Sequence, residues 1–216
     1  AAHLTRELRR LVREEKFGPL RSITFTQHKP RFLRTLMTDS AAQGHPTALD
    51  VEIPHSLGVV LDLAGPARVL DAGWDDMRCG GAVRPRMGGA RVTLAHASGV
   101  RTEIVSDLTS PIQQRSITLR FEHATVTGHY PLSEHDDHAQ LVISTDEEQR
   151  TRVFRDDALS AFVRRAYQRL LAGRPADFAP QHDAAQLLCA AKELCHAAQD
   201  AKSGLEGPKE AQHHVQ

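Results

Sequence analysis

Apolar positions recur at helical spacing at the start of the chain. Leu4, Leu8, Leu11 and Val12 form one stripe and Arg6, Arg9, Arg10, Arg13 and Glu14 fill the other face, which predicts an amphipathic helix over Leu4–Glu15 ending at Gly18-Pro19. The period then becomes two. Between Arg21 and His28, Ile23 and Phe25 alternate with Ser22, Thr24 and Thr26, the pattern of a strand with one buried face, closed by Lys29-Pro30. Small and polar residues from Asp39 to Pro46 read as a loop, and a second helix is expected over Asp50–Leu63, broken by Gly65-Pro66. Six strand-like segments follow at Ala67–Ala72, Arg91–His96, Arg101–Ser106, Ser116–Glu122, Thr125–Tyr130 and Gln140–Thr145. The short linkers between them favour antiparallel hairpins and meanders over parallel crossovers. Helical stripes return over Asp156–Ala172, stopped by Gly173-Arg-Pro175, and over His182–Ala201, before a polar tail at residues 202–216. The expectation is one α+β domain over residues 1–201, a mainly antiparallel open-faced sheet with helices packed on one face.

Composition narrows the partners. Lysine plus arginine and aspartate plus glutamate both total 27, so bulk charge gives no attraction for nucleic acid or an acidic membrane, and neither is expected as a partner. Aromatic residues are only 5% of the chain, which argues against an aromatic carbohydrate platform. Three cysteines without metal-ligand spacing point to reduced thiols in a cytoplasmic protein, with Cys189 and Cys195 expected to be packing residues. No apolar run has the length of a membrane span, and no signal peptide is evident. The chain opens on Ala1 and not on Met, which leaves an upstream segment of the same gene open.

The segment Ala48–Gly65 sets Asp50, Glu52 and His55 into an otherwise apolar helix, and burying ionisable groups needs a reason. Proline suits a first turn, so Pro54 predicts a helix beginning near Ile53, with Asp50 and Glu52 in the loop before it, either able to reach the imidazole. If the helix runs further back, Glu52, three residues ahead of His55, shares its face, while Asp50, five ahead, does not. A carboxylate orienting one ring nitrogen would free the other for proton transfer; the plainer reading is a helix-start histidine satisfied by a backbone carbonyl. His28, Lys29 and Arg31 after the first strand can bind a carboxylate or phosphate, or form a solvated strand end. His129–His138 is dense in imidazoles and carboxylates but lies between strands, so a solvated acidic loop is preferred to a metal site, with Tyr130 a candidate to face the pocket. Gly80–Gly89 has neither a Walker lysine nor a G-x-G-x-x-G leading into a helix and reads as a mobile loop between strands. Trp74, the one tryptophan, reads as a core or interface anchor.

The first helix, the Lys16-Phe-Gly-Pro-Leu20 turn and strand, the Asp50/His55 helix ending in Ala64-Gly65, the strand series, and the closing Ala158–Tyr167 and Gly173–Ala198 segments occur in a telling order. In that order nearly the whole chain resembles the C-terminal domain of the Gfo/Idh/MocA oxidoreductases. The resemblance implies an open-faced sheet that forms the substrate site on its helical side and associates through its exposed face, giving a homo-oligomer. It also implies that His55 acts in acid/base chemistry at a carbon of a sugar, polyol or related hydroxy or keto compound, with Asp50 or Glu52 as its carboxylate. The family's Glu-Lys-Pro motif has no counterpart here, since Lys16 follows Glu15 but precedes Phe17, and no Rossmann fingerprint is present. This chain alone is therefore expected to bind neither NAD(P) nor a metal; NAD(P) enters only with a nucleotide-binding domain encoded upstream or carried by a separate polypeptide. Two other functions fit the same residues: a free-standing isomerase, cyclase or lyase using His55, and a non-catalytic scaffold dimer.

Overall fold

The computed structural model describes residues 2–31, 46–133, 136–173 and 178–205. Among them the elements run α1 (His3–Glu14), β1 (Leu20–His28), α2 (Ala48–Ala64), β2 (Ala67–Cys79), β3 (Ala82–His96), β4 (Arg101–Asp107), β5 (Gln114–Phe121), β6 (Thr125–His129), β7 (His138–Ser144), β8 (Gln149–Arg155), α3 (Ala158–Leu171) and α4 (Ala179–Leu205). All strands join one sheet in the order β2-β3-β4-β1-β5-β6-β7-β8. The expected α+β fold with a mainly antiparallel sheet is present. One pair departs from the antiparallel pattern: β1 and β4 are parallel. Between them the chain passes through α2 and the β2–β3 hairpin, a connection long enough to bring β4 back in the same direction.

Period-two alternation sorts the sheet into two faces. Ile23 and Phe25 of β1, Ile104 of β4, Ile117 and Leu119 of β5, Val126 of β6 and Leu141 of β7 are buried on one face. Against it α1 sets Leu4, Leu8 and Leu11, and α2 sets Leu49, Ile53, Leu57 and Val60. Each such fully buried side chain contributes about 1.5–3 kcal/mol. Ser22, Thr24, Thr26 and His28 project to the opposite, open face. Asp156 fixes the entry of α1 from across the fold, its carboxylate accepting from the His3 and Leu4 backbone N–H groups. Helix α4 packs on β2 and α2, where His196 meets Trp74 edge-on at 5.0 Å.

Several expectations change. Gly80–Gly89 is not a loop but the turn and first half of the β2–β3 hairpin, because Gly80 and Gly81 take positive φ and Gly88 lies directly against the Asp76 backbone, where a Cβ has no room. Strand β8 was not expected, since its exposed residues lack an apolar alternation. Cys189 is exposed and only Cys195 packs inside. Helix α3 buries no side chain. The expected loop falls outside the described residues except for Pro46, as does His135, and so do residues 174–175 of the expected stop and the tail beyond Leu205.

Candidate functional site

Helix α2 starts at Ala48, earlier than Pro54 suggested. Thr47 forms a capping box with Asp50: the Thr47 hydroxyl accepts from the Asp50 N–H, and Asp50 Oδ2 accepts from the Thr47 N–H at 2.8 Å. This reciprocal cap holds the first turn, so the helix tolerates Pro54, whose ring removes only one interior bond. Asp50 and Glu52 are thus helical and not in a preceding loop. Asp50 is turned to α4, where Lys192 Nζ donates to Oδ1 at 2.9 Å. Burial pushes its carboxyl up, but the Thr47 amide, Lys192 and the Thr47 hydroxyl outweigh that and hold it below the ordinary carboxylate value.

Glu52 is fully buried on the face that meets β1. Gln27 donates to it from Nε2, Lys29 Nζ lies 3.2 Å from Oε2, and Arg31 Nη2 lies 3.0 Å from Oε1 off a hydrogen-bonding angle. Alternation explains the set. The Lys29 N–H donates to the Asp107 carbonyl and the Arg31 N–H to the Leu108 carbonyl, so the chain stays extended beyond β1 and Gln27, Lys29 and Arg31 all face α2. His28 falls on the other face, with Nδ1 3.9 Å from Asp107 Oδ2. The structure therefore joins Lys29 and Arg31 to Glu52 and separates His28 from them.

The polar floor extends sideways. Ser106 of β4 and Arg115 of β5 are the register partners of Gln27, and Ser56 follows Glu52 by one turn of α2. Gln27 Oε1, Glu52 Oε1, Ser56 Oγ, Ser106 Oγ and Arg115 Nε are the buried side-chain polar atoms without a hydrogen-bond partner among the described residues. All five belong to this one cluster. Glu52 Oε1 is still ion-paired with Arg31; the other four atoms have no polar partner among the described residues, which is costly in a folded interior, and their concentration makes this the candidate site.

His55 stands beside this cluster on the solvent side of α2, exposed and without a side-chain hydrogen bond or ion pair among the described residues. Partial desolvation lowers its pKa first, repulsion from Lys29 next; Glu52 opposes this, and Arg115 and Arg31 add to it. Desolvation and cation repulsion both favour the neutral, proton-accepting form of the imidazole. Tyr130 lies beneath the site and does not line it. Its hydroxyl pairs with Thr5 Oγ1 at 3.2 Å, its ring stacks on Phe25 at 5.9 Å, and burial pushes its pKa up to about 12. Above that ring, at 5.0 Å, sits the Arg115 guanidinium. Gln27, Arg115, Ser106 and Ser56 were not singled out from sequence. Continuing the β1 alternation to Arg31 would have found Gln27, but the others depend on strand register. Among the described residues, no group of three His, Cys, Asp or Glu side chains gathers to hold a metal ion.

No family model matches the chain, and no curated protein matches it by sequence. Solved structures do. A 3-ketoreductase from Actinomadura kijaniata in complex with NADP and TDP-benzene is similar at a TM-score of 0.69 with 14% identity, covering 88% of this chain and 58% of the reductase. A levoglucosan dehydrogenase in complex with NADH is similar at 0.68 with 14% identity, covering 88% of this chain and 60% of the dehydrogenase. At such identity the likeness is one of fold, and this chain spans less than two thirds of either protein.

Proposed function

From the fold of a Gfo/Idh/MocA C-terminal domain, which this chain shares, we propose that it is the substrate-side half of an NAD(P)-dependent oxidoreductase acting on a sugar, polyol or related small hydroxy or keto compound. The observation that carries this reading is His55: an imidazole held towards its neutral form, without a side-chain partner among the described residues, beside a cluster of polar atoms that also lack hydrogen-bond partners among them. A substrate hydroxyl resting on that ring would lose its proton to the imidazole as the carbon is oxidised, and a carbonyl oxygen would regain it in the reverse direction. Glu52 serves as the carboxylate near His55, holding Lys29 and Arg31 in place and drawing the imidazole pKa up, whereas Asp50 is committed to the cap and to Lys192. The chain's one glycine-rich segment is a hairpin with no helix behind it and does not fit a dinucleotide. NAD(P), where it takes part, is held by another domain, and the proton is the step that belongs to this chain.

One association claim accompanies this reading. The open face, polar and rich in threonine, suits pairing with a second copy. No helix among the described residues is long and apolar enough to cross a membrane. The test is a titration of the chain with NADH and NADPH, followed by a panel of sugars and polyols, reading nucleotide fluorescence and the His55 ring resonances. The expected result is no nucleotide binding and a shift of His55 with a subset of the panel. Nucleotide binding by this chain alone would contradict the division of labour. A free-standing isomerase or lyase would instead exchange substrate C–H hydrogens with solvent through His55 without any nucleotide.

A further inference from the structure

Positive charge at the site exceeds what Glu52 can neutralise. Lys29 and Arg31 both lie against its carboxylate, each about a quarter exposed. Arg115 is a third cation on the same face and has no carboxylate partner among the described residues. Its guanidinium is instead laid over the Tyr130 ring, and its Nε–H is buried and unpaired. Tyr130 cannot supply the missing charge, because its hydroxyl is engaged by Thr5 in the core. A half-buried guanidinium with one enclosed, unsatisfied N–H and no anion beside it among the described residues is costly, and its fork of donors is shaped for a carboxylate or phosphate. Two further unpaired hydroxyls, Ser56 Oγ and Ser106 Oγ, lie within the same cluster.

We propose that the substrate of this site carries an oxyanion, a carboxylate or a phosphate, that is seated by Lys29, Arg31 and Arg115 beside His55. The proposal rests on the reading of His55 as the substrate-side proton group and names the class of compound: an acidic hydroxy or keto compound, not a neutral polyol. Its effect on His55 follows from the same geometry. An anion on the basic cluster cancels the repulsion that Lys29, Arg115 and Arg31 exert on the imidazolium, so binding raises the His55 pKa.

The experiment titrates the full chain with gluconate, glucitol and inorganic phosphate, following the His55 resonances by NMR, with His55→Gln for assignment. Gluconate or phosphate is expected to bind at least about tenfold more tightly than glucitol and to move the His55 pKa upward, which glucitol does not. Phosphate without gluconate would identify a phosphate seat, and gluconate without phosphate a carboxylate seat. Arg115→Met keeps an apolar contact on Tyr130 and leaves no carboxylate unpaired; it should lose the preference, and Arg115→Lys should restore part of it. If glucitol perturbs His55 as tightly as gluconate, the oxyanion proposal fails while the site reading stands. Should none of the three perturb His55, both are overturned.

Discussion

Glu52 and His55 are neighbours with opposite kinds of importance. Glu52 has no exposed surface and holds two cations, so Glu52→Gln leaves Lys29 and Arg31 facing a neutral amide. Removing one partner of a fully enclosed ion pair costs about 3–5 kcal/mol; because both cations reach solvent, about 2–3 kcal/mol is expected here, measured by urea denaturation. His55 makes no side-chain hydrogen bond or ion pair among the described residues, so His55→Gln should change stability by less than about 0.5 kcal/mol; under the proposed function it lowers turnover of the oxidoreductase this chain would form part of about 10²–10⁴-fold. The charges also predict directions for the imidazole itself. Glu52→Gln removes the attraction that raises the His55 pKa and should depress it further; Arg115→Met removes a repulsion and should raise it. NMR titration of the two variants in opposite directions would confirm that both groups act on one ring, and a shift of the same sign would refute it.

Helix α2 is the element on which the site depends, and both of its ends are tied down by polar contacts that hydrophobic periodicity does not register. At its start the Thr47–Asp50 box overrides the boundary that Pro54 implied; Thr47-Ala-Leu-Asp50 was a readable signal, outweighed by the proline. Thr47→Ala should cost about 1 kcal/mol in thermal or chemical unfolding. At its far end His96 donates from Nδ1 to the Gly65 carbonyl at 2.8 Å and accepts from the Thr102 hydroxyl at Nε2, 2.9 Å away. Burial lowers its pKa, partly offset by the Gly65 carbonyl. With the folded value below the ordinary 6.5, the unfolded chain binds more protons in that window. The stability from neutral His96 is therefore complete above 6.5 and declines as pH falls through that value towards the folded pKa. His96→Gln should flatten this part of the stability-against-pH curve, as urea midpoints at successive pH values would show. The buried strands were legible because apolar residues alternate in them, as Ile23 and Phe25 do in β1. β8 escaped because its side chains are exposed, and Gly80–Gly89 because its glycines serve a hairpin and a close backbone approach.

At the scale of the whole molecule, one sheet carries helices on one face and, on the other, serine and threonine side chains flanked by charged ones such as Glu103 and Arg120. Register lines up Thr24, Thr118, Thr127, Val142 and Thr151 in a single row across β1, β5, β6, β7 and β8, with a Thr118–Thr127 hydroxyl contact at 3.2 Å. Such β-branched rows present a low, even surface against which a second sheet can pack face to face. Helix periodicity and strand alternation made this two-faced layout readable from sequence, but the row itself requires a register that spans five strands. The chain is expected to sediment as a dimer at micromolar concentration, and Thr118→Arg, in the middle of the row, to convert it to a monomer by placing like charges at the symmetric contact. Since Thr118 faces away from α2, the same variant should leave the His55 pKa unchanged. A wild-type monomer under those conditions would remove the open face as an interface without touching the site on the other side of the sheet. A monomeric variant with an altered His55 would show instead that the two faces are coupled through the strands.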